Sequence, residues 1–161
     1  MCQVVVCGAI NLDINLFIEK FPKTGEEVAV SQLTRIPGGK AANASVAASR
    51  ILSDGNVAIL GGLGDDSIGK EQIAVLTREG VETTGIKTVR GVESGQAYIV
   101  IDEGGQNMIY TLFGANLKLA PSDIMEEARI SIIERSKMVV VIDPRPDSLL
   151  AIAILGKSLR R

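Results

Sequence analysis

Residues 37–52 read Pro-Gly-Gly-Lys-Ala-Ala-Asn-Ala-Ser-Val-Ala-Ala-Ser-Arg-Ile-Leu, two glycines followed at once by a run of small residues. Such an alanine-rich composition favours a helix that packs closely on a sheet. Glycines let the backbone approach a ligand, and the first turn of a helix offers free N–H donors. Lys40 and Asn43 add a positive charge and an amide. The stretch therefore suits a polyhydroxylated or anionic ligand, although Gly-Gly-Lys alone also forms an ordinary turn.

The segments around this stretch alternate between buried strands and helices. Short β-branched or apolar runs predict strands over residues 4–6, 57–60 and 138–142, the first of them ending at Gly8. Helices are predicted over residues 40–52, over 68–78 with a stop at Gly80, from a Ser122 N-cap through Glu126 and Glu127, and from Pro146 to near Leu159. This alternation predicts an α/β fold with a parallel sheet.

Two further pairs of β-rich segments predict hairpins. Residues 14–20 and 28–36 flank a turn cluster at 22–25, and residues 96–102 and 107–112 flank Asp-Glu-Gly-Gly at 102–105. Two hairpins within an α/β frame predict a small β lid, with lid strands inserted at about 14–36 and 94–113. We expect residues 1–161 to form one α/β unit that carries this lid.

Polar residues follow two of the predicted strands. Asn11 and Asp13 lie in a predicted loop after the first strand, and their alternate positions would point both side chains the same way. Asp143 directly follows the strand at 138–142. Open α/β sheets bind ligands at the carboxyl ends of their strands, so all three are candidate ligand contacts. Turn formation or helix capping explains the same residues equally well.

The composition excludes several classes of function. The net charge is −2 and the basic residues are scattered, which argues against a nucleic-acid partner. No apolar run is long enough to span a membrane, and we expect a cytoplasmic protein. The absence of histidine excludes Ser-His and Cys-His pairs and His-containing metal sites. Cys2 and Cys7 lie too far apart on one strand to form a disulfide.

The glycine-rich segment at residues 61–69 is a strand-to-helix loop capped by Asp66 or Ser67 in our interpretation. It lacks the lysine and the Ser/Thr of a P-loop. The first turn at residues 8–12 also lacks the three-glycine dinucleotide fingerprint, which disfavours a Rossmann oxidoreductase.

Taken in order, these motifs resemble the ribokinase-like (PfkB) family of carbohydrate kinases along nearly the whole chain. The matching segments are residues 6–13, 21–26, 38–43, 62–69, 105–107 and 114–116. Ala41 stands where the family usually has glycine, and the turn at residues 51–56 is slightly longer than usual. The resemblance implies a three-layer fold, with helices on both faces of the sheet and a small β lid.

The resemblance also implies a function. A kinase of this family would transfer the γ-phosphate of ATP to the 5-hydroxyl of D-ribose, and the lid would form a homodimer contact. Hydrogen bonds to the sugar would come from Asn11, Asp13, Gly38, Gly39, Lys40 and Asn43, with Ala97 and Ile99 packing from the lid and Asp143 as a further contact. ATP and Mg²⁺ are the implied cofactors, and a monovalent cation is left open.

The length of the chain qualifies this expectation. Family members are about twice as long, and their second half supplies a Gly-Ala-Gly-Asp loop with the catalytic base and the anion hole. We therefore expect no catalytic residue, no metal site and no cofactor in these residues, no activity from this chain alone, and an exposed strand edge with uncovered helix faces. The alternatives are a relative acting on fructose, a nucleoside or ketodeoxygluconate, and a remnant that binds sugar without turnover.

Overall fold

The computed structural model describes residues 2–142 and 145–159. Its main sheet has the strand order β5-β4-β1-β9, and every pairing in it is parallel. These strands are β1 (Val4–Gly8), β4 (Val57–Gly64), β5 (Val81–Glu82) and β9 (Met138–Ile142), and β6 (Ile86–Val89) pairs with the far half of β4. The parallel sheet expected from the buried apolar runs is confirmed.

Helices cover both faces of this sheet. On one face lie α1 (Lys40–Leu52) and α2 (Ser67–Arg78), and on the other α3 (Pro121–Ile124), α4 (Glu127–Glu134) and α5 (Pro146–Leu159). Successive side chains of β1 point to opposite faces, so Val6 packs under the first pair of helices and Val5 under the second group. The predicted three-layer α/β class is confirmed. Among the described residues, no helix combines the length and apolar character needed to cross a bilayer.

The second sheet, which we call the lid, has the strand order β3-β2-β7-β8. Its strands are β2 (Asn11–Ile18), β3 (Val30–Gly38), β7 (Gly95–Ile101) and β8 (Asn107–Leu112). The β2–β3 and β7–β8 pairs are antiparallel, and β2 and β7 join them in parallel. On one face Leu12 and Ile14 are buried and, with residues of α2, line a cavity of about 420 Å³. The opposite face carries Asn11 and Asp13.

Three local predictions were wrong. Asn11 and Asp13 do not lie in a loop, because β2 begins at Asn11 only two residues after β1 ends. Ser122 is not an N-cap: α3 begins at Pro121 after the N-cap Ala120, and proline is tolerated at a first helical position because its missing N–H would have no intrahelical partner. The single predicted helix is also two helices, interrupted at Met125 and Glu126.

Candidate functional site

The candidate site lies where the lid meets the first turn of α1. Asn11, at the start of β2, pairs with Gly38 at the end of β3, and α1 begins two residues later. The backbone N–H of Ala41 donates to the carbonyl oxygen of Ala9 at 3.2 Å. This bond ties the first turn of α1 to the short connection between β1 and β2.

Two glycines make this close approach possible. A Cβ on Gly39 would lie 2.6 Å from both the Ala9 carbonyl oxygen and the Asn11 nitrogen, and its φ of 93° also disfavours other residues. A Cβ on Gly38 would overlap the Asp13 carboxylate. The Gly-Gly pair therefore packs against the polar start of β2, and a simple solvated turn does not account for it.

Asp13 is the charged group at the centre of this arrangement. Its carboxylate lies against the backbone of Gly38, and burial raises the pKa of Asp13 above its ordinary value. The ionised form can only accept hydrogen bonds, which fits the donor side of a hydroxyl group. A partly desolvated acceptor next to the start of a helix is chemically suited to a polyol ligand.

The polar row on β2 continues beyond the two predicted residues. Asn15 lies on the same face as Asn11 and Asp13, and its Nδ2 donates to Thr34 Oγ1 at 3.1 Å. The sequence analysis missed Asn15, although the alternation of Asn11, Asp13 and Asn15 was a signal for it. On the neighbouring strand β7, Ala97 is the register partner of Asp13 and Ile99 is that of Asn15. Small and apolar side chains therefore flank the polar row.

The remaining predicted residues lie at different places. Lys40 is the exposed first residue of α1, and the backbone N–H of Asn43 donates to the Gly39 carbonyl oxygen at 2.9 Å. The Asn43 side chain, with Gly38 and residues of α2, lines a cavity of about 330 Å³ between the two helices. Gly38 is thus the residue that borders both this cavity and the Asp13 carboxylate. Asp143 lies outside the described residues.

A second residue missed by the sequence analysis is Asn116, in the 3₁₀ helix Gly114–Lys118 that follows β8. Its Nδ2 donates to Asn11 Oδ1 at 2.8 Å. The two residues are separated by 105 positions in the chain, so no local spacing could have linked them. The motif Gly-Ala-Asn at residues 114–116 was noted in the sequence, but without a role.

The glycine-rich segment at residues 61–69 has a structural role. A Cβ on Gly62 would overlap the Ala115 carbonyl oxygen, so the segment packs against neighbouring backbone. Asp66 is the N-cap of α2 and accepts a hydrogen bond from the Gly69 nitrogen at 2.7 Å, as the alternative of Asp66 or Ser67 allowed. Burial opposes ionisation of Asp66, but hydrogen bonds from Ser94 and Gly69 outweigh it and hold its pKa below the ordinary value.

The fold is that of an α/β protein with a β lid, and one face of the lid carries the polar row. The sequence matches the family described as "pfkB family carbohydrate kinase" over residues 1–155. The chain therefore belongs to the pfkB family of carbohydrate kinases, which confirms the resemblance inferred from the ordered motifs.

The similar proteins include several ribokinases. The ribokinase of Bacillus subtilis (strain 168) is 34% identical over 147 residues, which cover 91% of this chain and 48% of that protein. The solved structure of Arabidopsis thaliana ribokinase complexed with ribose and ATP matches with a TM-score of 0.86 at 29% identity, over 99% of this chain and 51% of that one. Giardia lamblia ribokinase matches with a TM-score of 0.87 at 28% identity, over 99% and 47% of the two chains. The chain spans about half the length of these relatives.

Proposed function

We propose that this chain provides the sugar-binding site of a ribokinase-type kinase, with D-ribose as the sugar and its 5-hydroxyl as the phosphate acceptor from ATP. One observation carries the proposal: the Asp13 carboxylate lies against Gly38, at the glycine pair that opens α1. A hydroxyl bound there meets a carboxyl acceptor and the positive end of a helix within one short segment. The ribose seen with the similar Arabidopsis ribokinase supports the choice of sugar.

In this proposal each predicted residue has a separate task. Asp13 accepts a hydrogen bond from a sugar hydroxyl, Asn11 donates to a sugar oxygen, and the first turn of α1 supplies backbone N–H groups. Ala97 and Ile99 form the apolar wall beside the polar row, and Lys40, Asn43 and Asp143 are proposed as further contacts. The lid covers the bound sugar and excludes water from it.

No group of three or more Asp, Glu, Cys or His side chains within residues 2–142 and 145–159 could hold a metal ion. We propose that the kinase uses ATP and Mg²⁺, and the proposal gives no residue of this chain the role of catalytic base. We propose that this chain alone binds sugar without phosphorylating it, and that it resides in the cytoplasm, where ATP is available.

Titration calorimetry with D-ribose tests the proposal. We expect saturable binding by the unchanged chain and its loss in Gly39→Ala, because a Cβ at residue 39 would press on Asn11 and Ala9. Gly91→Ala is the matched control, since its φ of 67° is also positive and a Cβ there meets nothing within 4 Å. No response to ribose, fructose, ketodeoxygluconate or a nucleoside would contradict the proposal. ATP-dependent ribose phosphorylation by this chain alone would contradict its inactivity.

A homodimer through the lid is part of the proposal. Ile36 on β3 and Ile109 on β8 are more than half exposed, and both lie on the lid face that carries Asp13. Both strands are edges of the lid sheet. A second copy packed on this face would bury the two isoleucines and shield the polar row from water.

A further inference from the structure

Asn116 makes an unusually well-defined set of hydrogen bonds. The backbone nitrogen of Ile10 donates to Asn116 Oδ1 at 2.9 Å, and Asn116 Nδ2 donates to the Ile10 carbonyl oxygen at 3.1 Å. A backbone N–H can only donate and a backbone carbonyl can only accept, so these two bonds fix which end of the Asn116 amide is oxygen and which is nitrogen.

The fixed orientation of Asn116 determines the orientation of Asn11. The second N–H of Asn116 donates to Asn11 Oδ1 at 2.8 Å. Because an amide nitrogen cannot accept, the Asn11 atom that faces Asn116 must be the oxygen. The Asn11 NH₂ group therefore points the other way, and within residues 2–142 and 145–159 it has no hydrogen-bond acceptor.

The backbone around the Asn11 and Asn116 amides leaves no room for a further side chain. A Cβ on Gly95, the register partner of Asn11 on β7, would overlap both Asn116 Nδ2 and Asn11 Oδ1. The segment that carries Asn116 is itself anchored, because the Ala115 nitrogen donates to the Glu93 carbonyl oxygen at 2.8 Å. The Asn11 and Asn116 amides are thus surrounded by backbone from three parts of the chain, at Ile10, at residues 93–95 and at Ala115.

We propose that Asn116 is a positioning residue that sets the hydrogen-bond polarity of the sugar site. It holds the Asn11 oxygen towards Asn116 and away from the ligand. Asn11 then presents only N–H donors to the ligand, while the Asp13 carboxylate presents only acceptors. The sugar must then offer an oxygen lone pair at the Asn11 position and an O–H donor at the Asp13 position. This inference rests on the proposed sugar-binding function and adds to it a specificity determinant that does not touch the sugar.

The test is Asn116→Asp, measured with D-ribose and with analogues in which one hydroxyl is replaced by hydrogen or by fluorine. The new carboxylate can still accept from the Ile10 nitrogen, but it cannot donate to Asn11 Oδ1, and it repels that oxygen. The Asn11 amide then reverses and presents its oxygen to the sugar. We expect ribose affinity to fall about tenfold, as for the loss of one hydrogen bond.

The analogue pattern separates positioning from a general loss of structure. Fluorine can accept weakly and cannot donate, so at the hydroxyl that meets Asn11 the fluoro analogue should bind the unchanged chain better than the deoxy analogue. In Asn116→Asp that preference should disappear. Asn11→Asp should give the same altered pattern, because its carboxylate also presents an acceptor to the sugar.

Asn56→Asp is the matched control. Asn56 Nδ2 donates to the Leu52 carbonyl oxygen at 2.8 Å, beside the amino end of β4 and away from the site. This variant should lose comparable stability and keep both the affinity and the analogue pattern. Ribose binding by the unchanged chain with an unaltered pattern in Asn116→Asp would overturn this inference alone. Absence of any ribose binding by the unchanged chain would overturn the proposed function together with it.

Discussion

At the scale of single residues, the Asp13 carboxylate both provides a hydrogen-bond acceptor and excludes a side chain at residue 38. The carboxylate occupies the space where a Cβ of residue 38 would lie, so the acidic group and the glycine depend on each other. Its partial burial disfavours the charged form, as the raised pKa shows. We therefore expect Asp13 to cost stability while it serves binding.

Asp13→Asn tests whether Asp13 lowers the stability of the folded protein while it strengthens sugar binding. The folded-state pKa of Asp13 is raised, so the unfolded chain ionises this group more readily and the folded protein loses stability as the pH rises through its pKa. At pH 7 the variant should melt at a higher temperature than the unchanged chain. The difference in melting temperature should close as the pH falls below about 4, where the Asp13 carboxyl becomes neutral in the folded and in the unfolded chain.

The same variant should bind ribose at least about tenfold more weakly, because a hydrogen bond to a charged acceptor is stronger than one to an amide. Calorimetric titration at pH 7 measures this effect. A variant that is both more stable and equally tight in binding would contradict the role given to Asp13.

At the scale of elements, β1 and α1 could be predicted from the sequence, whereas the short strands β5 and β6 could not. The apolar run before Gly8 and the small-residue run after Gly39 specify β1 and α1, because burial and helix propensity act over many residues there. β5 and β6 have two and four residues, and they are strands because β4 offers them a pairing edge. Tertiary contacts of this kind have no local signature.

The candidate site shows the same division. Asn11, Asp13 and the glycine pair were predictable, because each belongs to a motif with local meaning. Asn116 was not, because its partners Ile10 and Asn11 lie more than 100 positions away. Neither was the break between α3 and α4, where the Arg129 guanidinium donates to the Asp123 carbonyl oxygen at 3.2 Å.

The cap of α2 provides a test at this scale. Asp66→Ala removes the acceptor for the Gly69 nitrogen and for Ser94, and we expect a loss of about 1–2 kcal/mol in the free energy of unfolding. Because the folded-state pKa of Asp66 is lowered, its contribution is present above the unfolded pKa of about 3.9 and is lost as the pH falls through the folded value. Urea denaturation at pH 7 and at pH 3 measures both effects. Equal losses at the two pH values would contradict the ionic role.

Two thiols provide a second test, since Cys7 lies in β1 and Cys2 lies two residues before it. Cys2 and Cys7 are fully buried, and burial raises the pKa of Cys7 to about 12 and also raises that of Cys2. Only the thiolate reacts, so a thiol reagent at pH 8 should leave the native chain unmodified and label two thiols in urea. The labelling rate without urea then reports how often the central strand opens. Rapid native labelling would contradict the position of β1 between β4 and β9.

At the scale of the whole molecule, two surfaces remain open. β9 ends the main sheet at its outer edge, and a groove of about 740 Å³ runs between β9, α4 and α5. Leu150 and Ile154 of α5 are more than half exposed nearby. Within residues 2–142 and 145–159, β9 is thus an edge strand and α5 carries exposed apolar side chains, and low stability or association through them stays a prediction.

The proposed lid dimer is tested with Ile109→Lys. A lysine at residue 109 would place a charge within the proposed contact, so we expect the dimer fraction in sedimentation velocity to fall at least about tenfold. Ile51→Lys is the control, since Ile51 is 81% exposed on α1 and lies outside the lid. Monomer at all concentrations for the unchanged chain, or an unaffected dimer in Ile109→Lys, would contradict the proposal.

The aromatic content of the lid has a practical consequence. The chain has no tryptophan and two tyrosines, and both tyrosines, Tyr98 and Tyr110, are register partners on β7 and β8. Tyrosine emission from the native protein therefore originates in the lid. Tyr98 lines the cavity between the lid and α2, so an unlabelled sample can report a change in how the lid packs on α2 without any engineered fluorophore.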